Sequence, residues 1–333
     1  MRSFKVWGVI LAATLTLATN PASSQPKPPF ASTAIEIEAR DIPAFSRRDT
    51  KLKRFGELEF IGGAVFSSKA KQFGGISGLH ILPDGQNFIA HSDRGHWLRG
   101  RFTFEGDRVT GITNAEMTPM RGPRGRLSAS KSFDTESLAA DGNTLYVGIE
   151  RENQILRYDR FGEIGIPIPV PTEITDLPHN QGLEALAFVP RGMPLGGSLI
   201  AISERGLEAN GNIKGFILSG GKWSNFSVKR IGNFDVSDAA ISPTGHLVIL
   251  ERYFTFLSGV HMRIRAIALS DVKTGATVDG KILIEADSEF DIDNMEALAI
   301  TKNVSGQIVL TLMSDNNFSY FQRTILLRFL WPQ

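Results

Sequence analysis

From residue 57 onward the apolar positions fall into short runs, two to a unit, each pair joined by a turn and closed by an acidic residue. The first unit runs from Gly75 to Leu82, turns at Pro83-Asp84-Gly85 and continues from Phe88 to Gly95. The second joins Thr135 to Ala139 with Leu145 to Arg151 through Asp141-Gly142, and the third joins Gly182 to Val189 with Leu199 to Gly206. The fourth joins Ser237 to Ile241 with Leu247 to Arg252 through Pro243-Thr244-Gly245, and the fifth joins Met295 to Ile300 with Ile308 to Asp315. Short β-rich runs bounded by Asp-Gly or Pro-x-Gly are hairpin signals. A further strand-like run follows most hairpins, at Gln154 to Asp159, Ile213 to Leu218, Arg263 to Leu269 and Thr324 to Leu330. No convincing amphipathic helix interrupts the series.

Aligned on Gly78, Glu136, Glu184, Asp238 and Glu296, the units repeat at intervals of 58, 48, 54 and 58 residues. Four-stranded units at such intervals predict an all-β chain, a β-propeller of five blades. Residues 30–60, where Ala34 to Glu38 is strand-like, are the one place that could supply a sixth. Only 37 residues follow Glu296, too few for a blade. The run Glu57 to Ile61 is therefore expected to complete the last blade as an N-terminal strand, closing the ring and removing its edges. The expected organisation is a signal peptide over 1–24, a leader over 25–56 and one propeller domain over 57–333.

In a blade whose first two strands form the inner hairpin, the start of one strand and the end of the next share a rim. That geometry places nine carboxylates at one channel mouth: Glu136, Glu184, Asp238 and Glu296 at strand starts, with Asp93, Glu150, Glu204, Glu251 and Asp315 at strand ends. Arg94, Arg151, Arg205 and Arg252 follow four of the end acids, and salt bridging between blades is the bland reading of such pairs. Four arginines leave five acids uncompensated, and crowded like charges are costly unless protonated, solvated or bound to a cation. Carboxylates with the neighbouring amides Asn180, Asn294, Asn316 and Asn317 favour calcium. No contiguous calcium-loop motif is present. His91 and His96 bracket Asp93, while His179 precedes Asn180; each is a candidate at the same rim.

Composition narrows the picture by exclusion. The 333 residues contain no Cys, which removes disulfides, thiol catalysis and zinc–thiolate sites. With 36 basic and 35 acidic side chains the net charge is +1, unlike the strongly basic face a nucleic-acid partner requires. A serine nucleophile lacks its elbow, since Gly74 to Gly78 departs from G-x-S-x-G, and no phosphate loop or dinucleotide fingerprint appears. At the N-terminus, Arg2 and Lys5 precede an apolar run from Val6 to Ala18, followed by small residues around Ala22 and Ser24. This pattern predicts a secretory signal cleaved near Ser24 and a periplasmic or secreted mature chain with no membrane span.

The blocks Gly75-Ile76-Ser77-Gly78-Leu79, Ser92-Asp93-Arg94-Gly95 and Glu136-Ser137-Leu138-Ala139 resemble the phytase-like domain family. So do Asn180-Gln181-Gly182-Leu183-Glu184-Ala185-Leu186-Ala187, Ser203-Glu204-Arg205-Gly206 and Asn294-Met295-Glu296-Ala297-Leu298-Ala299. The resemblance covers about residues 58–331. It implies an exported propeller with the esterase-like activity of phytase, and calcium-dependent propeller phytases are a more distant analogy. The expectation is hydrolysis of a small ester or phosphoester. Glu136, Glu184, Asp238, Asn294 and Glu296 are expected to hold the cation. Asp93, Glu150, Glu204 or Asp315 acts as base with His91 or His96, and Arg94 and Arg205 steady an anionic substrate. The alternatives are a calcium-dependent lactonase-like enzyme and a non-catalytic propeller that binds a protein or envelope ligand. No protein partner is predicted.

Overall fold

The computed structural model describes residues 31–129 and 134–332. The predicted signal, residues 1–24, lies outside them. Blade 1 is built from the antiparallel strands Ile76–Ile81, Asn87–Ser92, His96–Glu105 and Arg108–Pro119. Blade 2 comprises Thr135–Asp141, Thr144–Ile149, Gln154–Tyr158 and the short Ile166–Pro167. Blade 3 comprises Leu183–Phe188, Leu199–Leu207, Ile213–Ser219 and Lys222–Val228. Blade 4 contains Asp235–Ile241, His246–Thr255, Gly259–Ala268 and Lys281–Ala286. Blade 5 pairs Asn294–Lys302, Ile308–Asp315 and Thr324–Trp331 with Leu58–Ser67, the N-terminal strand that closes the ring. The first strands of successive blades pack against one another in a cycle, the fifth returning to the first. The fold is a five-bladed β-propeller.

The described residues 31–60 form no sixth blade. Thr33–Ala34 pairs with the outer strand of blade 1, while Glu38–Ile42 adds an outer strand to blade 5. Phe45 and Phe55 are buried among Leu58, Phe60 and Phe329. The described part of the segment expected as a leader is thus packed on the ring. The reason is chemical: a run that buries Ile42, Phe45 and Phe55 has more to gain against blade 5 than in water.

Five buried apolar clusters correspond to the five blade interfaces. One, for example, joins Ile200 and Ile217 of blade 3 to Val236, Leu247 and Ile249 of blade 4. Blades stack face to face, so alternate residues on both faces of a strand become buried. This explains why the inner strands read as apolar runs. The tight turns follow from glycine: Gly85 closes the blade 1 hairpin at φ 70°, a left-handed conformation strained for other residues. The only helix among the described residues with α geometry is Thr172–Thr175.

Candidate functional site

Each innermost strand carries a β-bulge near its start, and that irregularity builds the site. The ladder skips between Ile76 and Gly78, Thr135 and Ser137, Leu183 and Ala185, Val236 and Asp238, and Met295 and Ala297. The residue left unpaired is Ser77, Glu136, Glu184, Ser237 or Glu296. A bulge re-aims the side chain it frees. Three glutamates thereby enter a cavity of about 670 Å³ at one mouth of the channel. Asp93, Glu150, Glu204 and Asp315 reach it from the ends of the second strands, so seven of the nine expected carboxylates meet there. Asp134, which precedes the blade 2 bulge, is an eighth acid that the repeat alignment missed.

Blade 4 departs from the expected pattern at both positions. Ser237 occupies the bulge, donating its hydroxyl to the carbonyl of Met295 at 3.0 Å. Asp238 is one residue beyond, buried away from the mouth. Its carboxylate accepts the backbone N–H groups of Ala239 at 2.7 Å and Leu298 at 2.6 Å, stapling blade 4 to blade 5. It is not positioned as a cation ligand. At the end of the second strand the register is likewise displaced, because Arg252 pairs with Asp235 at the place where Asp315 pairs with Asn294. Glu251 is fully buried between Arg263, at 2.7 Å, and Arg265, at 2.6 Å. Blade 4 therefore presents a guanidinium to the mouth in place of a carboxylate.

Arg252 divides the acids into two groups. It contacts Glu204 at 3.2 Å and Glu296 at 3.4 Å, and donates to the Asn294 side-chain oxygen at 3.0 Å. Asn294 in turn donates to Glu296 at 2.7 Å. The expected ligands Asn294 and Glu296 thus belong to a hydrogen-bonded arginine network. On blades 2 and 3 the acids stand in two triads, Asp134/Glu136/Glu150 and Glu150/Glu184/Glu204, each offering oxygens within 4.8 Å of one another. Oxygens about 2.4 Å from a shared calcium ion span a similar distance. The donor set is all carboxylate, with Asn180 nearby, and it fits a hard divalent cation. Glu150 and Glu204, expected as bases, are placed with this set, and Glu204 joins it to the arginine network by accepting from Arg252 at 3.2 Å.

Burial dominates the electrostatics. It raises the pKa of Glu136 and Glu184, with Glu184 and Glu296 adding to the shift on the former and Glu204 to that on the latter. Burial, then repulsion from Glu204 and Asp134, lifts Glu150 to about 7. On blades 1 and 5, burial and Asp134 lift Asp93 to about 7, while burial, Glu296 and Asp93 lift Asp315 to about 9. One Asp93 oxygen is buried without a hydrogen-bond partner among the described residues. It lies against Gly75, where an added Cβ would stand 2.1 Å away, so glycine is required there. His96 also lines the cavity, and burial holds its imidazole below the ordinary range.

Two further expectations change. His91 does not reach the mouth. Its ring fills the space left by Gly78, with Nε2 2.5 Å from where a Cβ would lie, and burial lowers its pKa to about 4. Arg205 turns into a separate cavity of about 460 Å³ and pairs with Asp235 through both carboxylate oxygens. Arg94 does line the mouth, its guanidinium 3.5 Å from the centre of the Phe318 ring.

A propeller with a carboxylate-rich mouth able to hold a divalent cation defines the structural class. The sequence profile described as phytase-like, esterase-like activity of phytase, matches residues 71–318, and the chain belongs to that family. No curated protein matches the sequence. Among solved structures, an endo-arabinase from Bacteroides thetaiotaomicron aligns at 12% identity and a TM-score of 0.45, over 76% of this chain and 93% of the other. U3-55K aligns at 11% identity and TM-score 0.38, over 77% and 95% respectively. The WD40 domain of Toxoplasma gondii coronin aligns at 8% identity and TM-score 0.34, over 90% and 87%. No helix among the described residues is long and apolar enough to cross a membrane.

Proposed function

We propose that this chain is a cation-dependent hydrolase of small esters or phosphoesters, working at the acidic mouth. The observation that carries the reading is the pair of carboxylate triads sharing Glu150. Asp134, Glu136, Glu150, Glu184 and Glu204 would hold calcium or a similar hard cation. When bound, such an ion polarises the carbonyl or phosphoryl oxygen and acidifies water. Beside Asp134, Asp93 is suited to take the proton from the attacking water, because a carboxylate lifted to about 7 in the ion-free protein is balanced between base strength and availability. Asp315, pushed up to about 9, retains a proton at neutral pH and donates it to the departing alkoxide. Water oxygen bonds to the acyl carbon or phosphorus, the ester C–O or P–O bond breaks, and an acid and an alcohol leave. His96 supplies a neutral imidazole beside Asp93, and Arg94 supplies positive charge for an anionic group. Export through residues 1–24 is part of the same proposal and rests on their sequence alone.

Elemental analysis of the purified protein, with turnover of p-nitrophenyl acetate, p-nitrophenyl phosphate and a lactone before and after chelation, tests this reading. The expected result is bound divalent metal and chelator-sensitive turnover of an ester or phosphoester. Turnover of the lactone alone would transfer the site to lactonase chemistry. No turnover on any substrate, with a chelator-induced fall in melting temperature, would reduce the cation to a structural role.

A further inference from the structure

Beside the acidic mouth a second cavity, of about 880 Å³, opens along the seam between blades 4 and 5. Its character is opposite to that of the mouth. Phe290 and Ile292 contribute to one side; Phe254 and Phe256 come from the blade 4 hairpin, and Phe321 from the loop after Asp315. Phe254 and Phe256 meet edge to face with centroids 5.6 Å apart, and Phe290 stacks on buried Phe45 at 5.0 Å. The charges that line it are paired: Arg47 holds Asp291 at 3.2 Å, and Arg323 holds Asp291 at 3.0 Å and Asp293 at 3.5 Å. A polyanion finds no uncompensated cation in this groove, whereas a neutral apolar chain finds aromatic walls.

Two observations point to an occupant. Phe256 and Phe321, which line the same cavity, are fully exposed, as are the adjacent Leu257 and Tyr320, and exposed apolar surface gathered at a cavity marks binding. Local hydrogen bonds shape the loops that carry them. Thr255 and Ser258 join their hydroxyls at 2.6 Å across one tip, while the Ser319 hydroxyl accepts the Phe321 N–H at 3.2 Å at the other. The groove also adjoins the mouth, since Arg252, Asn294 and Asn317 line both cavities. One molecule can therefore place a polar head among the carboxylates and an apolar tail against the phenylalanines.

We infer that the substrate is amphipathic: an ester or phosphoester carrying an alkyl chain or comparable apolar group, which lies in the groove between blades 4 and 5 while the scissile bond sits at the mouth. This inference rests on the hydrolase reading for its chemistry and on the groove for its selectivity. The two are separable by experiment. In titrations monitored by calorimetry with calcium present, octylphosphonate, which cannot be hydrolysed, is expected to bind at least about tenfold more tightly than methylphosphonate, because each methylene removed from water adds affinity. Hydrolysis of methyl acetate, methyl octanoate and octyl acetate below their aggregation concentrations is expected to show kcat/KM at least about tenfold higher for one of the octyl or octanoyl esters. Phe256→Ser and Phe321→Ser, both at exposed positions that leave the core untouched, are expected to abolish most of the chain-length preference in both measurements. Octylphosphonate preference without turnover of any ester would uphold the groove and remove the hydrolase reading. Turnover without chain-length preference, or preference unaffected by either substitution, would overturn the inference. Cosedimentation with phosphatidylcholine vesicles, lost in Phe256→Ser and accompanied by no preference among monomeric esters, would overturn it in favour of a membrane surface.

Discussion

Asp238 and Glu184 are both buried carboxyl groups with pKa values raised by burial, yet their surroundings assign them opposite work. Asp238 accepts two backbone N–H groups and does not line the acidic mouth. Replacing it with Ala strands the Leu298 N–H, a loss of about 1–3 kcal/mol for an unsatisfied buried donor. Thermal unfolding should show that loss, while cation content stays at the parent level. Glu184 has no such partners and stands among like charges. Glu184→Gln should therefore stabilise the metal-free protein, by removing a crowded charge, and weaken calcium binding by about tenfold or more, because affinity follows the number of charged ligands. Calorimetric calcium titration of both variants separates the roles; equal calcium affinity in Glu184→Gln and parent would sink the triad containing Glu150 and Glu204.

The strand, with its bulge, is the unit that turns sequence into site. The hairpins, the five-fold repeat and the closing strand were legible because both faces of each blade are buried, which leaves unbroken apolar runs between turn residues. Most rim acids were legible too, since an acid after a buried strand ends where the strand does. Blade 4 was misread because Asp238 and Glu251 look like their counterparts when acids are aligned with acids. Counting from the apolar start of the second strand gives the true register: Leu199 and Leu247 occupy matching places, and so then do Glu204 and Arg252. Asp134 occupies a repeat position, two residues before the bulge like Asp235 and Asn294, but that position holds Gly75 and Gly182 in blades 1 and 3, so no recurring acid marked it. The seam aromatics escaped because loop residues have no periodicity, and only the fold brings the hairpin at Phe256 to the loop at Phe321. Closure can be tested at this level. Val65 lies within the closing strand, paired with Ile325 on one side and Arg40 on the other. Val65→Pro removes a ladder donor and adds a clash, at about 3 kcal/mol or more. A lowered unfolding midpoint is expected; an unchanged one would mean the ring does not depend on this strand.

At the scale of the molecule, a chain with nearly balanced charge concentrates acids at one end of its axis, and the consequence is a stability that depends on pH and ion together. In the metal-free protein Asp93 and Glu150 titrate at about 7 and Asp315 at about 9, whereas in the unfolded chain they would titrate near 4. Between those limits the folded state holds protons that the unfolded state has released. Stability is therefore fully present below about pH 4 as far as these groups are concerned, declines as pH rises toward 7, and continues to decline to 9 through Asp315. A fall in melting temperature of roughly 10 °C between pH 5 and pH 9 is expected in chelator, given a few °C per kcal/mol for a domain of this size. Calcium competes with those protons, so its effect should be small at pH 5 and largest at pH 9, where it restores the midpoint by mass action. Melting curves across this range, with chelator and with millimolar calcium, measure both slopes. A midpoint in chelator that rises with pH would show that the mouth carries its charges without strain, and the cation would then lose its physical reason for binding.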